Sequence, residues 1–112
     1  MFGLFGGVPQ ITVQELKEKI EQGDDFLLLD VREPEEYEIA NLGGHLIPLA
    51  ELPHRLEELE AYRDKPIFIY CRTGSRSAMA TQWLRELGYD AYNVAGGLYA
   101  WSEEINPAMA QY

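Results

Sequence analysis

The sequence predicts an α/β domain in which a central, mainly parallel sheet carries helices on both faces. Short apolar segments that suit strands alternate along the chain with longer segments in which apolar residues recur at helical spacing. Residues 26–31 form a continuous apolar segment with one aspartate, which is typical of a parallel strand that is covered on both faces. Sheets of this kind place their sites beyond the carboxyl ends of the strands. Polar residues that directly follow an apolar segment are therefore the first candidates for a functional site.

Length, charge and cysteine content narrow the classes of protein that fit. The 112 residues, 46% of them hydrophobic, suit one folded domain over residues 9–112 behind a flexible N-terminal tail over residues 1–8. That tail lacks the basic start of a signal peptide and the length of a membrane span. The net charge of −10 argues against nucleic acid or an anionic membrane as a partner. The single cysteine excludes a disulfide framework and a cysteine-rich zinc site, and a free thiol suits the reducing cytoplasm.

The chain is predicted to begin with a helix and a buried strand. Thr12 and Glu15 have the spacing of a capping box at a helix start, and Gly23 is the glycine that ends the helix. Residues 26–31 are apolar except for Asp30, which lies near the carboxyl end of the predicted strand. This position makes Asp30 a candidate for the site.

A short helix, a short strand and a longer helix are predicted next. Pro34 suits the first turn of the short helix, and residues 45–48 form a strand that ends at its own proline. Leu52, Leu56 and Leu59 then recur at i, i+4 and i+7, with glutamates between them. This pattern predicts one amphipathic helix with an acidic, solvated face.

The last third of the chain is predicted to run strand, helix, strand, helix. Residues 67–70 form a strand, and a helical pattern covers residues 78–87. Residues 91–94 form the final strand, and residues 98–105 form a final helix that ends before a proline. Residues 71–77 connect the strand at 67–70 to the helix at 78–87 and form a polar loop that contains the only cysteine.

The polar loop is the predicted active site, with Cys71 as its nucleophile. The residues that follow the cysteine are predicted to bind the substrate, and they are Arg72, Thr73, Gly74, Ser75, Arg76 and Ser77. Backbone N–H groups of a tight loop and of a helix start attract anions, so we expect a reactive, partly ionised thiol. Gly74 lets the loop curl around the sulfur, and Ser77 is expected to cap the helix. The two arginines would steer a small anion to this spot, although one of them is expected to pair with a carboxylate.

Three kinds of thiol chemistry use such a loop, and the sequence separates them. Tyrosine-phosphatase-type enzymes have five residues between cysteine and arginine, whereas four separate Cys71 from Arg76, which disfavours a phosphatase or arsenate reductase. Thioredoxin-type chemistry needs a second cysteine. Transfer of sulfane sulfur remains: the thiolate attacks the outer sulfur of a small anion such as thiosulfate and becomes a persulfide. A nucleophilic acceptor then removes that sulfur in a ping-pong cycle that needs no metal or organic cofactor.

Four segments of the chain resemble signatures of the rhodanese family, and together they cover nearly all of it. They are residues 28–37 (LLDVREPEEY), 47–49 (IPL), 71–77 (CRTGSRS) and 94–101 (VAGGLYAW). The resemblance implies a rhodanese-like fold and a Cys71 persulfide cradled by residues 72–77. It also implies that Asp30 and Arg32 support the pocket, Asp30 as a hydrogen-bond acceptor that fixes the loop and Arg32 in a structural ion pair. The acceptor would be cyanide in vitro and a thiol or a sulfur-carrier protein in the cell.

The two histidines are not expected to take part in the chemistry. Many rhodaneses carry a histidine in a Gly-His-Ile-Pro-like stretch, but aligning residues 47–49 places the family histidine at Ala40. We therefore interpret His45 as structural and His54 as a surface residue. A thiolate in the predicted loop should need no general base.

The resemblance leaves the acceptor and one alternative function open. Residues 36–44 and 101–107 are similar to rhodanese domains fused behind E1-like adenylating enzymes, which pass sulfur toward ubiquitin-like sulfur carriers. This similarity indicates a protein acceptor. The alternative from another class is a non-catalytic persulfide carrier or interaction module that docks through its acidic surface or apolar tail. Inactive family members usually lack the cysteine, and Cys71 is present here.

Overall fold

The computed structural model describes residues 8–112 and has a five-stranded sheet at its centre. The strands are β1 (Gln10–Ile11), β2 (Leu27–Asp30), β3 (His45–Leu46), β4 (Ile67–Tyr70) and β5 (Ala91–Val94). They lie in the order β1-β5-β4-β2-β3, and each of these pairings is parallel. The predicted parallel sheet is confirmed. The sequence did not predict β1, whose two residues are too few to show a pattern.

Within residues 8–112, four α-helices and two 3₁₀ helices lie between or after the strands. They are α1 (Val13–Gln22), α2 (Pro34–Ile39), α3 (Ser75–Glu86) and α4 (Gly97–Glu104), with 3₁₀ helices at Leu49–His54 and Leu56–Tyr62. The prediction of one amphipathic helix from Leu52 to Leu59 is wrong, because Pro53 lies inside the first 3₁₀ helix and interrupts the α-helical pattern. Leu52 and Leu59 are nevertheless buried, so the predicted apolar face still packs on the core.

The sheet is covered on both faces, and β4 shows this directly. Ile67 and Ile69 point into one apolar cluster, which also contains Leu84 of α3. Phe68 and Tyr70 belong to a second cluster, which contains residues of α1 and α4 such as Leu16 and Leu98. Because successive side chains of a strand point to opposite faces, this division places helices on both sides of the sheet, as predicted.

The strand register brings the candidate site residues to one edge of the sheet. Asp30, the last residue of β2, pairs with Tyr70, the last residue of β4. On the other side of β4, Ile69 pairs with Asn93 near the end of β5. Cys71 follows β4 directly, so it lies at the carboxyl edge that β2 and β5 share.

The amino-terminal end of the described chain is packed against the sheet. Residues 1–7 of the predicted tail lie outside the described residues. Val8, the last residue of that tail, is buried, and the carbonyl of Pro9 accepts a hydrogen bond from the Asn93 N–H at 2.9 Å. Within residues 8–112, no helix has both the length and the apolar character needed to cross a bilayer.

Candidate active site

Cys71 lies beyond the carboxyl end of β4, and the residue is only 1% exposed. Gly74 is the N-cap of α3 and has a φ of 114°. Glycine adopts this left-handed backbone conformation without strain. The helix α3 therefore begins at Ser75, three residues earlier than the helical pattern of the sequence predicts. The expectation that Ser77 caps this helix is therefore wrong. Ser77 lies inside the first turn and is buried.

Three hydrogen-bonding groups converge on the sulfur of Cys71. The backbone N–H of Gly74 donates to Sγ at 3.1 Å, and the N–H of Ser77 donates to it at 3.4 Å. The hydroxyl of Ser77 lies 3.3 Å from Sγ. Donors in this arrangement stabilise a negative charge on sulfur more than the neutral thiol. The loop therefore surrounds the sulfur with hydrogen-bonding groups at the start of a helix.

The hydroxyl of Ser77 is itself oriented by Asn93, a buried residue of β5. Ser77 Oγ donates to Asn93 Oδ1 at 2.5 Å, and Asn93 Nδ2 donates to the carbonyl of Gly74 at 3.2 Å. The single hydroxyl proton can thus serve either Asn93 or an ionised sulfur. Asn93 is not among the site residues that the sequence predicts. A polar residue near the carboxyl end of an otherwise apolar strand was the available signal.

We expect Ser77→Ala to slow the reaction of the Cys71 thiol with iodoacetamide at neutral pH by about three- to tenfold. The ionised sulfur loses one hydrogen-bond donor, and a donor of this kind contributes about 1 kcal/mol. Thr81→Val is the matched control, because Thr81 is buried in the same helix and its hydroxyl donates to the Ser77 carbonyl at 2.7 Å. Equal alkylation rates for wild type and Ser77→Ala would contradict the role given to the hydroxyl.

The start of α4 holds the backbone of the loop from the other side. The N–H of Leu98 donates to the Cys71 carbonyl at 2.9 Å, and the N–H of Tyr99 donates to the Arg72 carbonyl at 2.9 Å. Gly97 packs so closely that an added Cβ would lie 2.4 Å from the Cys71 carbonyl oxygen. A side chain at this position would displace the loop. The absence of a side chain at Gly97 thus allows the Cys71 backbone to pack against the start of α4.

Asp30 and Arg32 form a fully buried ion pair next to the loop. Arg32 Nη2 lies 2.8 Å from Asp30 Oδ2, and both side chains are 0% exposed. Asp30 Oδ1 also accepts from the backbone N–H of Arg32 at 2.9 Å. The guanidinium reaches further, to the carbonyls of Ala40 at 2.7 Å and of Glu36 at 3.4 Å. The pair therefore organises the segment from β2 through α2, and burial keeps the guanidinium away from solvent.

Arg76 points from the first turn of α3 to a carboxylate of α2. Its Nη1 and Nη2 donate to Glu36 Oε1 and Oε2 at 2.7 and 2.9 Å, which is a bidentate pair. The hydrogen bond from Arg76 holds the pKa of Glu36 below its usual value. The sequence left open which carboxylate would pair with an arginine of the loop, and it gave no sign that distinguished Glu36 from its neighbouring glutamates.

Arg72, the other arginine of the loop, contacts the C-terminal end of the chain. Its Nε donates to the carbonyl of Gln111 at 2.9 Å, and its guanidinium carbon lies 5.4 Å from the ring centroid of Tyr112. The side chain remains exposed. Both predicted arginines thus belong to the loop, but each of them binds another part of the protein, Arg72 at Gln111 and Arg76 at Glu36.

Several backbone N–H groups of the loop are open to a ligand. Those of Thr73, Ser75 and Arg76 have no hydrogen-bond partner among residues 8–112. Such free donors are normal for a helix start, and they attract anions.

His45 lies apart from them and contacts Glu58, with 2.6 Å between Nε2 and Oε1. In the described range, no group of three or more His, Cys, Asp or Glu side chains is placed to hold a metal ion.

Comparison with known proteins identifies similar chains. A family model described as a rhodanese-like domain matches residues 12–104. YtwF of Bacillus subtilis is 36% identical over 101 residues, which cover 89% of this chain and 96% of YtwF. A rhodanese-like domain protein from Staphylococcus aureus has a crystal structure that superposes with a TM-score of 0.78. It is 31% identical, and the match covers 93% of this chain and 98% of that one.

A second group of relatives is longer than this chain. The adenylyltransferase and sulfurtransferase MOCS3 of Arabidopsis thaliana is 37% identical over 119 residues, which cover 92% of this chain and 26% of MOCS3. The chain spans about a quarter of the length of the MOCS3 and MoeZ relatives that it matches. The similarity is thus to one part of these proteins.

Proposed function

The chain belongs to the rhodanese-like domain family, and from this premise we propose that it is a sulfurtransferase that carries sulfane sulfur on Cys71. One observation carries the proposal. The cysteine lies beyond a parallel strand with two backbone N–H groups and one hydroxyl around its sulfur, at 3.1, 3.4 and 3.3 Å. A thiolate held in this way is ready to attack an electrophilic sulfur.

In the first half of the cycle, Cys71 takes one sulfur atom from the donor. With thiosulfate, the thiolate attacks the outer sulfur, the S–S bond of thiosulfate breaks, and sulfite leaves with the bonding electrons. The product is a Cys71 persulfide. We assign its cradle to residues 72–77, where the free N–H groups of Thr73, Ser75 and Arg76 are available to the outer sulfur.

In the second half of the cycle, a nucleophilic acceptor attacks the outer sulfur of the persulfide. The bond between the two sulfur atoms breaks, and Cys71 leaves as a thiolate, which restores the starting state. Cyanide is the acceptor that we propose in vitro, where it yields thiocyanate. In the cell we propose a thiol or a sulfur-carrier protein, because the chain is similar to about half of YrkF of Bacillus subtilis, whose name describes a sulfur carrier protein. No step of this cycle needs a metal or an organic cofactor.

Asp30 and Arg32 are assigned a supporting role, and the protein is assigned to the cytoplasm. Asp30 and Arg32 keep the neighbouring strand end and α2 in place, and neither is assigned to substrate. A free thiol as the working group suits the reducing cytoplasm, where we place the activity.

A phosphatase is the weaker candidate because only four residues separate Cys71 from Arg76, and Arg76 is already bound to a carboxylate.

Steady-state kinetics with thiosulfate and cyanide test the proposal. We expect thiocyanate to form, with parallel double-reciprocal lines when both reactants are varied, because the two halves of the cycle share one covalent intermediate. A protein that takes up sulfur but does not turn over would instead be a persulfide carrier. Failure to react with any sulfane donor, together with hydrolysis of a phosphate ester, would overturn the proposal in favour of a phosphatase.

A further inference from the structure

We propose that Glu36 determines which sulfane donor this protein prefers. By cancelling the charge of Arg76 beside the sulfur, it makes the site favour donors with a single negative charge over doubly charged thiosulfate. Persulfides and thiosulfonates are such donors. The inference rests on the proposed sulfur transfer and names the chemical class of its substrate. Glu36 acts here through Arg76, as a positioning residue.

The contact between the two side chains is close and partly shielded from water. Both nitrogens of the guanidinium meet both oxygens of the carboxylate, at 2.7 and 2.9 Å. The side chain of Arg76 is 33% exposed and that of Glu36 is 20% exposed. The pKa of Arg76 is raised, first by its hydrogen bond to Glu36 and further by the charges of Glu36 and an ionised Cys71, against the effect of partial burial. Arg76 directly precedes Ser77, whose N–H donates to the Cys71 sulfur at 3.4 Å, so Arg76 belongs to the turn that holds the sulfur.

Glu36 is held in its position by α2 and by the buried ion pair. Its Oε1 also accepts a hydrogen bond from the Glu33 N–H at 2.9 Å, which completes a capping box at the start of α2. Its carbonyl accepts from Arg32 Nη1 at 3.4 Å. The carboxylate therefore cannot move away from Arg76 without disturbing the cap. One carboxylate thus both completes the cap of α2 and pairs with Arg76.

The charge of the donor decides how much this neutralisation matters. A chain with a net charge of −10 and an ionised Cys71 repels a dianion about twice as strongly as a monoanion. A free positive charge at Arg76 would offset this repulsion, and the offset would be larger for the dianion. Thiosulfate and methanethiosulfonate make a matched pair, because the same S–S bond breaks in each, releasing sulfite or methanesulfinate with the bonding electrons.

Glu36→Gln tests the proposal, because glutamine keeps the capping box and removes only the charge. We expect the ratio of kcat/KM for thiosulfate to kcat/KM for methanethiosulfonate to rise about fivefold. Glu38→Gln is the control: Glu38 is an exposed residue of the same helix, and its replacement changes the net charge equally. That ratio is expected to stay within about twofold of wild type. The double variant Glu36→Gln/Arg76→Gln is expected to return the ratio to near the wild-type value.

Two results would overturn the inference while leaving sulfur transfer intact. An equal loss with both donors in Glu36→Gln would show that Glu36 only keeps Arg76 in place. An equal rise of the ratio in Glu38→Gln would show a general effect of net charge. If wild-type protein forms no persulfide with either donor, the proposed function itself fails, and this inference fails with it.

Discussion

Replacing Cys71 by serine is expected to lower thiocyanate formation from thiosulfate and cyanide by about a thousandfold or more. A serine hydroxyl is not ionised at neutral pH and cannot displace sulfite from thiosulfate. Cys71 is the only cysteine of the chain, so no other thiol can replace it. The substitution changes one atom in a buried side chain, and the fold should therefore be retained.

The loss of activity has to be separated from a loss of structure. The thermal unfolding midpoint of Cys71→Ser should stay within a few degrees of wild type, and Thr81→Val, which alters a buried residue of α3 away from the sulfur, should keep most of the activity. Turnover in Cys71→Ser within tenfold of the wild-type rate would mean that the sulfur does not pass through this residue.

Asp30→Ala is expected to lower the free energy of unfolding by about 3–5 kcal/mol. The substitution leaves the guanidinium of Arg32 buried without its carboxylate, and both side chains of the pair are 0% exposed in the folded protein. A domain of this size commonly has a total stability of about 5–15 kcal/mol, so the loss is a large share of it. Urea unfolding followed by circular dichroism measures the difference.

The matched control is the same substitution in an exposed ion pair. Asp25 lies 2.9 Å from Lys65, with side chains that are 74% and 37% exposed, and Asp25→Ala should cost no more than about 1 kcal/mol. The double variant Asp30→Leu/Arg32→Met should recover much of the loss, because it removes both buried charges together. Equal costs for Asp30→Ala and Asp25→Ala would contradict the structural role of the buried pair.

The sheet and most helices could be predicted because their signals are local. Short, mainly apolar segments identified β2, β4 and β5, and the capping box of Thr12 and Glu15 that the sequence indicated is present at the start of α1. The strand β1 was missed because two residues carry no periodicity. The single helix predicted through Leu52 and Leu59 was wrong. The leucines have α-helical spacing, but Pro53 lacks a backbone N–H and interrupts an α-helix at that point.

The loop was predictable for the same reason, but its partners were not. A cysteine between a strand pattern and a helix pattern is visible in the sequence. Asn93 and Glu36 reach the loop only in the folded chain, since Asn93 is 16 residues from Ser77 and Glu36 is 40 residues from Arg76. Which of several glutamates meets Arg76 depends on how α2 packs, and no local pattern encodes that choice.

Intact mass spectrometry after incubation with thiosulfate shows whether Cys71 carries a transferred sulfur atom. We expect wild-type protein to gain the mass of one sulfur atom, cyanide to remove it, and Cys71→Ser to gain nothing. No gain of mass with thiosulfate or any other sulfane donor would contradict the account, and so would a gain of one sulfur in Cys71→Ser.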